Sequence, residues 1–149
     1  MIEKFEYYLN KNLVKKQYIT KEEAISLIEK AIARLEYIKG QKITEENASF
    51  IFEDIYESIR ESAQSLMALK GYKPYSHEVL ISFVREFFNI PENLLSDFDR
   101  YRILRNKCVY SAFRVSSIVC KDALKFLEVF LPKLKKEFEK EAKKCQVSK

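Results

Sequence analysis

The chain has two glycines, Gly40 and Gly71, in 149 residues, where average usage would be about 7%. Tight hairpins need residues at positive φ, which glycine adopts without steric cost. A chain this poor in glycine, with three prolines, cannot build many of them. Sheet-rich folds are disfavoured and long helices favoured. The two glycines also stand far apart. Neither the dinucleotide fingerprint G-x-G-x-x-G nor the phosphate loop G-x-x-x-x-G-K-[ST] can be written with them.

Apolar spacing divides the chain at its few breakers. Ile2, Phe5, Leu9 and Leu13 predict a short helix over 2–15, within an N-terminal helical segment 1–18. Thr20 and Glu23 match a capping box. Ala24, Leu27, Ile28, Ala31, Leu35 and Ile38 then form one stripe, which Gly40 ends as the residue just past the helix. Thr44, followed by Glu45 and Glu46, predicts the next start. Its stripe (Ala48, Ile51, Phe52, Ile55, Ile59, Ala63, Leu66, Leu69) runs to Gly71, a helix of about 27 residues or roughly 40 Å.

Residues 71–76 read as a turn, and Ser76 caps a fourth helix carrying Val79, Leu80, Phe83, Val84, Phe87 and Phe88. Pro91 starts a fifth, at its first position or just before, reaching Ser111 or beyond. The last helix carries Leu124, Leu127, Leu131, Leu134, Phe138 and Ala142, and Pro132 should kink or break it. The expectation is one all-α domain over residues 1–149. It is an antiparallel up-and-down bundle of five to six helices, with 140–149 a frayed basic tail.

The formal net charge is +5, and residues 132–149 hold seven lysines against three glutamates. Such a tail either grips nucleic acid through counterion release or is a solvated helix end with lysines at the negative end of the macrodipole. The alternation of lysine with glutamate favours the second. Cys108, Cys120 and Cys145 form no C-x-x-C pair, and His77 is the sole histidine. No metal site and no cofactor are expected, and the cysteines read as core hydrophobes. Unpaired thiols and the charged start MIEKFEYYLN point to the cytoplasm. No apolar run approaches the ~18 residues of a membrane span, so no membrane association is expected. The aromatic load is high, 11 Phe and 9 Tyr. Phe50, Tyr56, Tyr72, Tyr75 and Phe88 fall off or at the edge of the stripes. Either they cover loops and helix ends, or they form an interface, for which a homodimer is the simplest case.

On the fifth helix, Phe98, Tyr101, Cys108 and Ala112 define the apolar stripe. Arg105 lies seven residues from both Phe98 and Ala112, within about 20° of each at 100° per residue. A cation on a buried stripe must be paired or must face a polar cleft. Arg105 therefore either pairs with a carboxylate of the long third helix, such as Glu57 or Glu61, or opens a cleft. Asn106 and Tyr110 share the neighbouring face, and Arg102 extends that row. Arginine, asparagine and tyrosine beside an apolar wall suit phosphate and base contacts.

Three segments carry a resemblance. They are the helix end Tyr56-Glu-Ser-Ile-Arg-Glu-Ser-Ala-Gln-Ser-Leu-Met-Ala-Leu69, the turn Gly71-Tyr-Lys-Pro-Tyr-Ser-His77, and Arg102-Ile-Leu-Arg-Asn-Lys-Cys-Val-Tyr110. Their order and spacing, over roughly residues 20–140, resemble the HEPN domain family, the nucleotide-binding domain of higher eukaryotes and prokaryotes. The resemblance implies an antiparallel bundle that dimerises. In many members it implies a metal-independent ribonuclease, whose motif Arg and His from both subunits face one cleft at the dimer interface. Other members pair with minimal nucleotidyltransferases as toxin and antitoxin. Arg105 matches the motif Arg, Asn106 its polar neighbour, and Tyr110 stands at the His position. A tyrosine with pKa ~10 shuttles protons poorly at neutral pH, where a histidine near ~6.5 does so well.

The resemblance thus implies a homodimer binding RNA or a nucleotide, with Arg105 and Asn106 on phosphate, Arg102 beside them and Tyr110 stacking or hydrogen-bonding. The alternatives are a ribonuclease toxin, with Arg105 and Tyr110 as its catalytic residues, and a non-catalytic partner of a nucleotidyltransferase. His77 opens another helix and is expected to cap or pack there.

Overall fold

The computed structural model describes residues 1–18 and 20–147, with side chains to residue 144. Six helices and two short strands follow in the order α1 (Phe5–Asn10), β1 (Val14–Lys16), α2 (Lys21–Lys39), α3 (Ala48–Leu69), β2 (Tyr72–Pro74), α4 (His77–Phe87), α5 (Glu92–Tyr110) and α6 (Ser117–Val147). The all-α expectation holds: this is a six-helix bundle with one small two-stranded sheet. No helix among the described residues is long and apolar enough to cross a membrane.

Helix α3 is the axis of the bundle and touches α2, α4, α5, α6 and β2. Its apolar residues Phe52, Ile55, Ile59, Ala63 and Leu66 are completely buried, as an element enclosed on most sides requires. Four of its polar residues, Ser58, Glu61, Ser62 and Ser65, are also buried, and each is satisfied. Ser58, Ser62 and Ser65 donate to the carbonyls of Ala31, Ile59 and Ser62 at 2.8, 2.8 and 2.6 Å. The Glu61 carboxylate accepts from Arg34 at 2.9 and 3.3 Å. The cross-links Lys30–Glu61, Ala31–Ser58 and Arg34–Asp54 run in opposite residue order, so α2 and α3 form an antiparallel hairpin. On the other side, α6 buries Leu127, Phe130, Leu131 and Leu134 against α3.

The N-terminal segment departs from expectation. The helix over 2–15 is only Phe5–Asn10, because Asn12 takes φ 58° and turns the chain, a left-handed position that asparagine tolerates. Val14, Lys15 and Lys16 then pair antiparallel with Pro74, Lys73 and Tyr72. The stretch 71–76, read as a plain turn, therefore contains a strand. Gly71 at φ 83° provides the bend into it. Phe5 packs edge-on against Tyr72, Phe83 and Phe87 at 5.1–5.5 Å. Ser82 donates to the Glu3 carbonyl at 2.8 Å. The first sixteen residues are thereby fixed to β2 and α4.

Other boundaries also move. Helix α3 starts at Ala48 rather than at Thr44, since Thr44 and Asn47 bond each other's backbone N–H at 2.8 and 3.2 Å and close a separate turn first. Thr20 bonds the Glu23 side chain at 3.1 Å instead of a free N–H. Gly40 ends α2 in an ordinary right-handed conformation, φ −80°, so nothing there requires glycine. Ser76 does cap α4, accepting from the Glu78 N–H at 3.2 Å. Pro91 precedes α5 directly. Helix α6 runs through Pro132 without a break. Of the aromatics at the margin of the stripes, Tyr56 is completely buried, and Tyr72 and Phe88 are partly buried and pack onto the core. Phe50 and Tyr75 are exposed as expected. Cys120 is buried and Cys108 half-buried, and Cys145 and residues 148–149 of the basic tail lie outside the described side chains.

Candidate functional site

Helix α5 is held by its aromatic face. Phe98 meets Tyr56 and Phe130 at 6.4 and 5.5 Å, and Tyr101 meets Phe52 and Phe126 at 6.1 and 5.3 Å. One turn past Tyr101, the same face presents Arg105 above α3. Its guanidinium carbon lies 5.8 Å from the Tyr56 ring centroid, a cation–π contact. The stripe does not continue to Ala112, which lies beyond the helix at φ 54°. Arg105 therefore sits where the buried face opens, half-exposed.

The two carboxylates that could have claimed Arg105 are held elsewhere. Glu57 accepts from Arg60 at 2.7 and 3.1 Å, and Glu61 is held by Arg34 and, at 3.6 Å, by Lys30. Among the described residues no carboxylate lies within ion-pair distance of Arg105. Its one hydrogen bond goes to the neighbouring Asn106 Oδ1 at 3.3 Å. A guanidinium has five N–H donors in a planar fork, so most remain free for an oxyanion.

The rest of the predicted row divides. Asn106 is half-buried beside Arg105, and Tyr110, the last residue of α5, is 77% exposed. Arg102 is different, with its side chain 12% exposed. It donates to Asp99 at 2.8 Å and lies 3.6 Å from Glu78, tying α5 to α4. Arg102 contributes charge to the site but not a free hand.

The structure brings two further residues to the predicted row: His77, which packs at the start of α4 as expected, and Arg60. His77 shares a 2.8 Å hydrogen bond with the Tyr56 hydroxyl through Nδ1, its ring stacked at 5.6 Å. Arg105 and His77 thus lean on one tyrosine from two different helices. Burial pushes the Tyr56 phenol well above its ordinary value despite the nearby Arg105, so it stays protonated. That hydroxyl has no other partner among the described residues, so its O–H donates to Nδ1 and the imidazole proton rests on Nε2.

Burial first, then the charges of Arg105, Arg60 and Arg102, hold His77 below its ordinary pKa, with only Glu57 opposing them. Arg60 is the second addition. With Gln64, Tyr75, Ser76 and His77 it lines a cleft of about 200 Å³. Burial pushes the Glu57 carboxyl up, but the Arg60 hydrogen bond and the Arg60, Arg34 and Arg105 charges outweigh it and leave the group below the ordinary range.

This arrangement can hold an anion. Three guanidiniums and one imidazole surround a buried ring, and Arg105 is uncommitted. Among the described residues no three His, Cys, Asp or Glu side chains gather into a metal-binding group. The Tyr56–His77 and Arg60–Glu57 pairs were out of reach of periodicity, because they depend on how α4 crosses α3. The available signal was that Tyr56 and Arg60 lie one turn apart on the face that precedes the 71–76 bend. No family model matches this sequence, and a search of curated proteins finds no relative.

Proposed function

We propose that this chain is a HEPN-like protein that binds the phosphodiester backbone of RNA, or a nucleotide, through Arg105 and Asn106, with Tyr110 stacking at the rim. The observation that carries this reading is the uncommitted Arg105 guanidinium. Evolution of a purely structural arginine at this depth would pair it, as Arg34 and Arg102 are paired. Arg105 instead keeps free donors above a buried aromatic ring, beside two further guanidiniums.

The reading includes a homodimer whose seam holds the Arg105 cleft. Supporting it are the exposed Phe50, at the start of α3, and Val109 and Tyr110, at the end of α5. The experiment is fluorescence anisotropy of a labelled single-stranded RNA in EDTA across a salt series. Binding should weaken with salt, and Arg105→Ala should cost at least about tenfold in affinity. Equal affinity in the variant, with folding intact, sinks the reading.

A ribonuclease reading has one specific observation behind it. Tyr110 replaces the proton-shuttling histidine, yet His77 is hydrogen-bonded to the tyrosine on which Arg105 rests. The same RNA incubated without metal distinguishes the two, since cleavage lost in both Arg105→Ala and His77→Gln would favour catalysis. Pairing with a nucleotidyltransferase as toxin and antitoxin is the third reading, and its test is co-purification with such a protein.

A further inference from the structure

A second cleft lies away from the Arg105 site. It holds about 580 Å³ between α5, the 111–116 linker and the start of α6, within the usual range of small-molecule pockets. Ile103 and Lys107 line it, and each is two residues from Arg105. At 100° per residue they lie about 160° around the helix, so the cleft opens on the opposite side of α5.

Two properties of its wall point to one kind of occupant. The floor is apolar, built from Ile103, Phe113 and Val119, and the first two are about half exposed to solvent. The rim is cationic, with Arg100, Lys107 and Arg114. Its one carboxylate, Asp99, is neutralised by Arg102 at 2.8 Å. Arg100 pairs with Asp97 at 3.2 Å and covers the Tyr101 ring. Lys107 and Arg114 have no ion pair among the described residues.

The backbone is shaped to put them there. Ala112 is held left-handed at φ 54°, a conformation its Cβ resists. The Phe113 N–H returns to the Lys107 carbonyl at 3.3 Å, and Val115 N–H is anchored on Ser49 Oγ at 2.8 Å. The linker is thereby folded back so that Phe113 and Arg114 face α5.

We propose that this cleft binds a free amphipathic anion: an aliphatic or aryl body bearing one carboxylate, sulfonate or phosphate. The body covers Ile103 and Phe113, and the head group pairs with Lys107 and Arg114. The site is independent of the Arg105 site and of any RNA.

The test uses 1-anilinonaphthalene-8-sulfonate as probe with the full chain. Saturable fluorescence at one site per chain is expected. Dodecanoate below its micelle concentration should displace the probe, and dodecyltrimethylammonium, which has the same tail and the opposite charge, should not. Lys107→Glu with Arg114→Glu should weaken the probe by about tenfold or more. Both residues are exposed, so an unchanged circular dichroism spectrum certifies the fold. Arg105→Ala should leave binding as it was.

Absence of saturation, equal displacement by the cationic detergent, or unchanged affinity in the double variant would overturn the proposal. So would protein that sediments with anionic phospholipid vesicles, or Ile103→Glu turning a dimer into a monomer. Those last outcomes would make the face a membrane contact or an interface between copies.

Discussion

The Tyr56 hydroxyl reaches His77 Nδ1 across 2.8 Å, with the two rings only 19° from parallel. The bond favours neutral imidazole, because protonating Nδ1 would take away the one acceptor that the buried phenol has among the described residues. It acts in the same direction as the burial and the nearby guanidiniums that already lower the His77 pKa.

A stability profile follows from that pair. In the unfolded chain His77 titrates near ~6.5, and in the fold its pKa is lower. Just below pH ~6.5 the unfolded state therefore binds more protons. The stabilisation is complete above that pH and is lost as pH falls through the folded value. Urea denaturation should show a stability that is level above about pH 7 and declines from ~6.5 downward. His77→Gln should flatten the upper part of that decline. A slope that survives the substitution assigns the effect to another group.

Arg34 and Arg105 should behave as opposites. Arg34→Ala strips the buried Glu61 carboxylate of its bidentate partner and leaves Lys30 at 3.6 Å. A loss of about 3 kcal/mol is expected. Arg105→Ala removes one partly exposed cation–π contact and should cost less than about 1 kcal/mol. Its effect belongs in RNA affinity, which Arg34→Ala should spare while the protein is folded. Thermal melts beside anisotropy titrations separate the two.

The two glycines should also diverge. Gly71→Ala places a Cβ at φ 83° and should destabilise by about 1–2 kcal/mol. At Gly40 the backbone is right-handed, and a Cβ would meet the Tyr37 and Glu36 carbonyls at an ordinary 3.5 and 4.0 Å. Gly40→Ala should be neutral or stabilise by a few tenths of a kcal/mol, through the unfolded chain. Melting temperatures of the two variants check the contrast.

Cys120 is fully buried, and burial pushes its thiol up to about 11. The thiolate is the reactive form, so disulfide reagents at pH 8 should leave Cys120 untouched in the native protein. In a Cys145→Ser background, Cys108 should react slowly and Cys120 only on unfolding. Rapid modification of both would contradict the packing.

How much could be read from residues alone depended on how local the cause was. The α2, α3, α4 and α6 stripes were legible because 3.6-residue periodicity is written in the sequence, and Leu127, Leu131 and Leu134 are buried as their spacing implies. The Ser76 cap is local too. The β1–β2 pair was not legible. It joins Val14 to Pro74, and neither three-residue stretch carries an alternating pattern long enough to see. Tyr56 sat beside the stripe on paper but is completely buried, because a helix enclosed by several others has no free margin. Arg105 was placed on the buried stripe by angle alone, but the helix ends at Tyr110 and leaves it where that face opens. Which carboxylates it would miss depended on Arg60 and Arg34 reaching Glu57 and Glu61 first, a competition settled only in three dimensions.

The pairing of Val14–Lys16 with Tyr72–Pro74 bears on the order in which the molecule assembles. The Val14–Lys16 segment has no strand to pair with until Tyr72–Pro74, some sixty residues further along the chain, has been made. The α2–α3 hairpin meanwhile is joined by a short connection, with cross-links such as Arg34–Asp54, and can close early. Of the two paired segments, the earlier one therefore docks late.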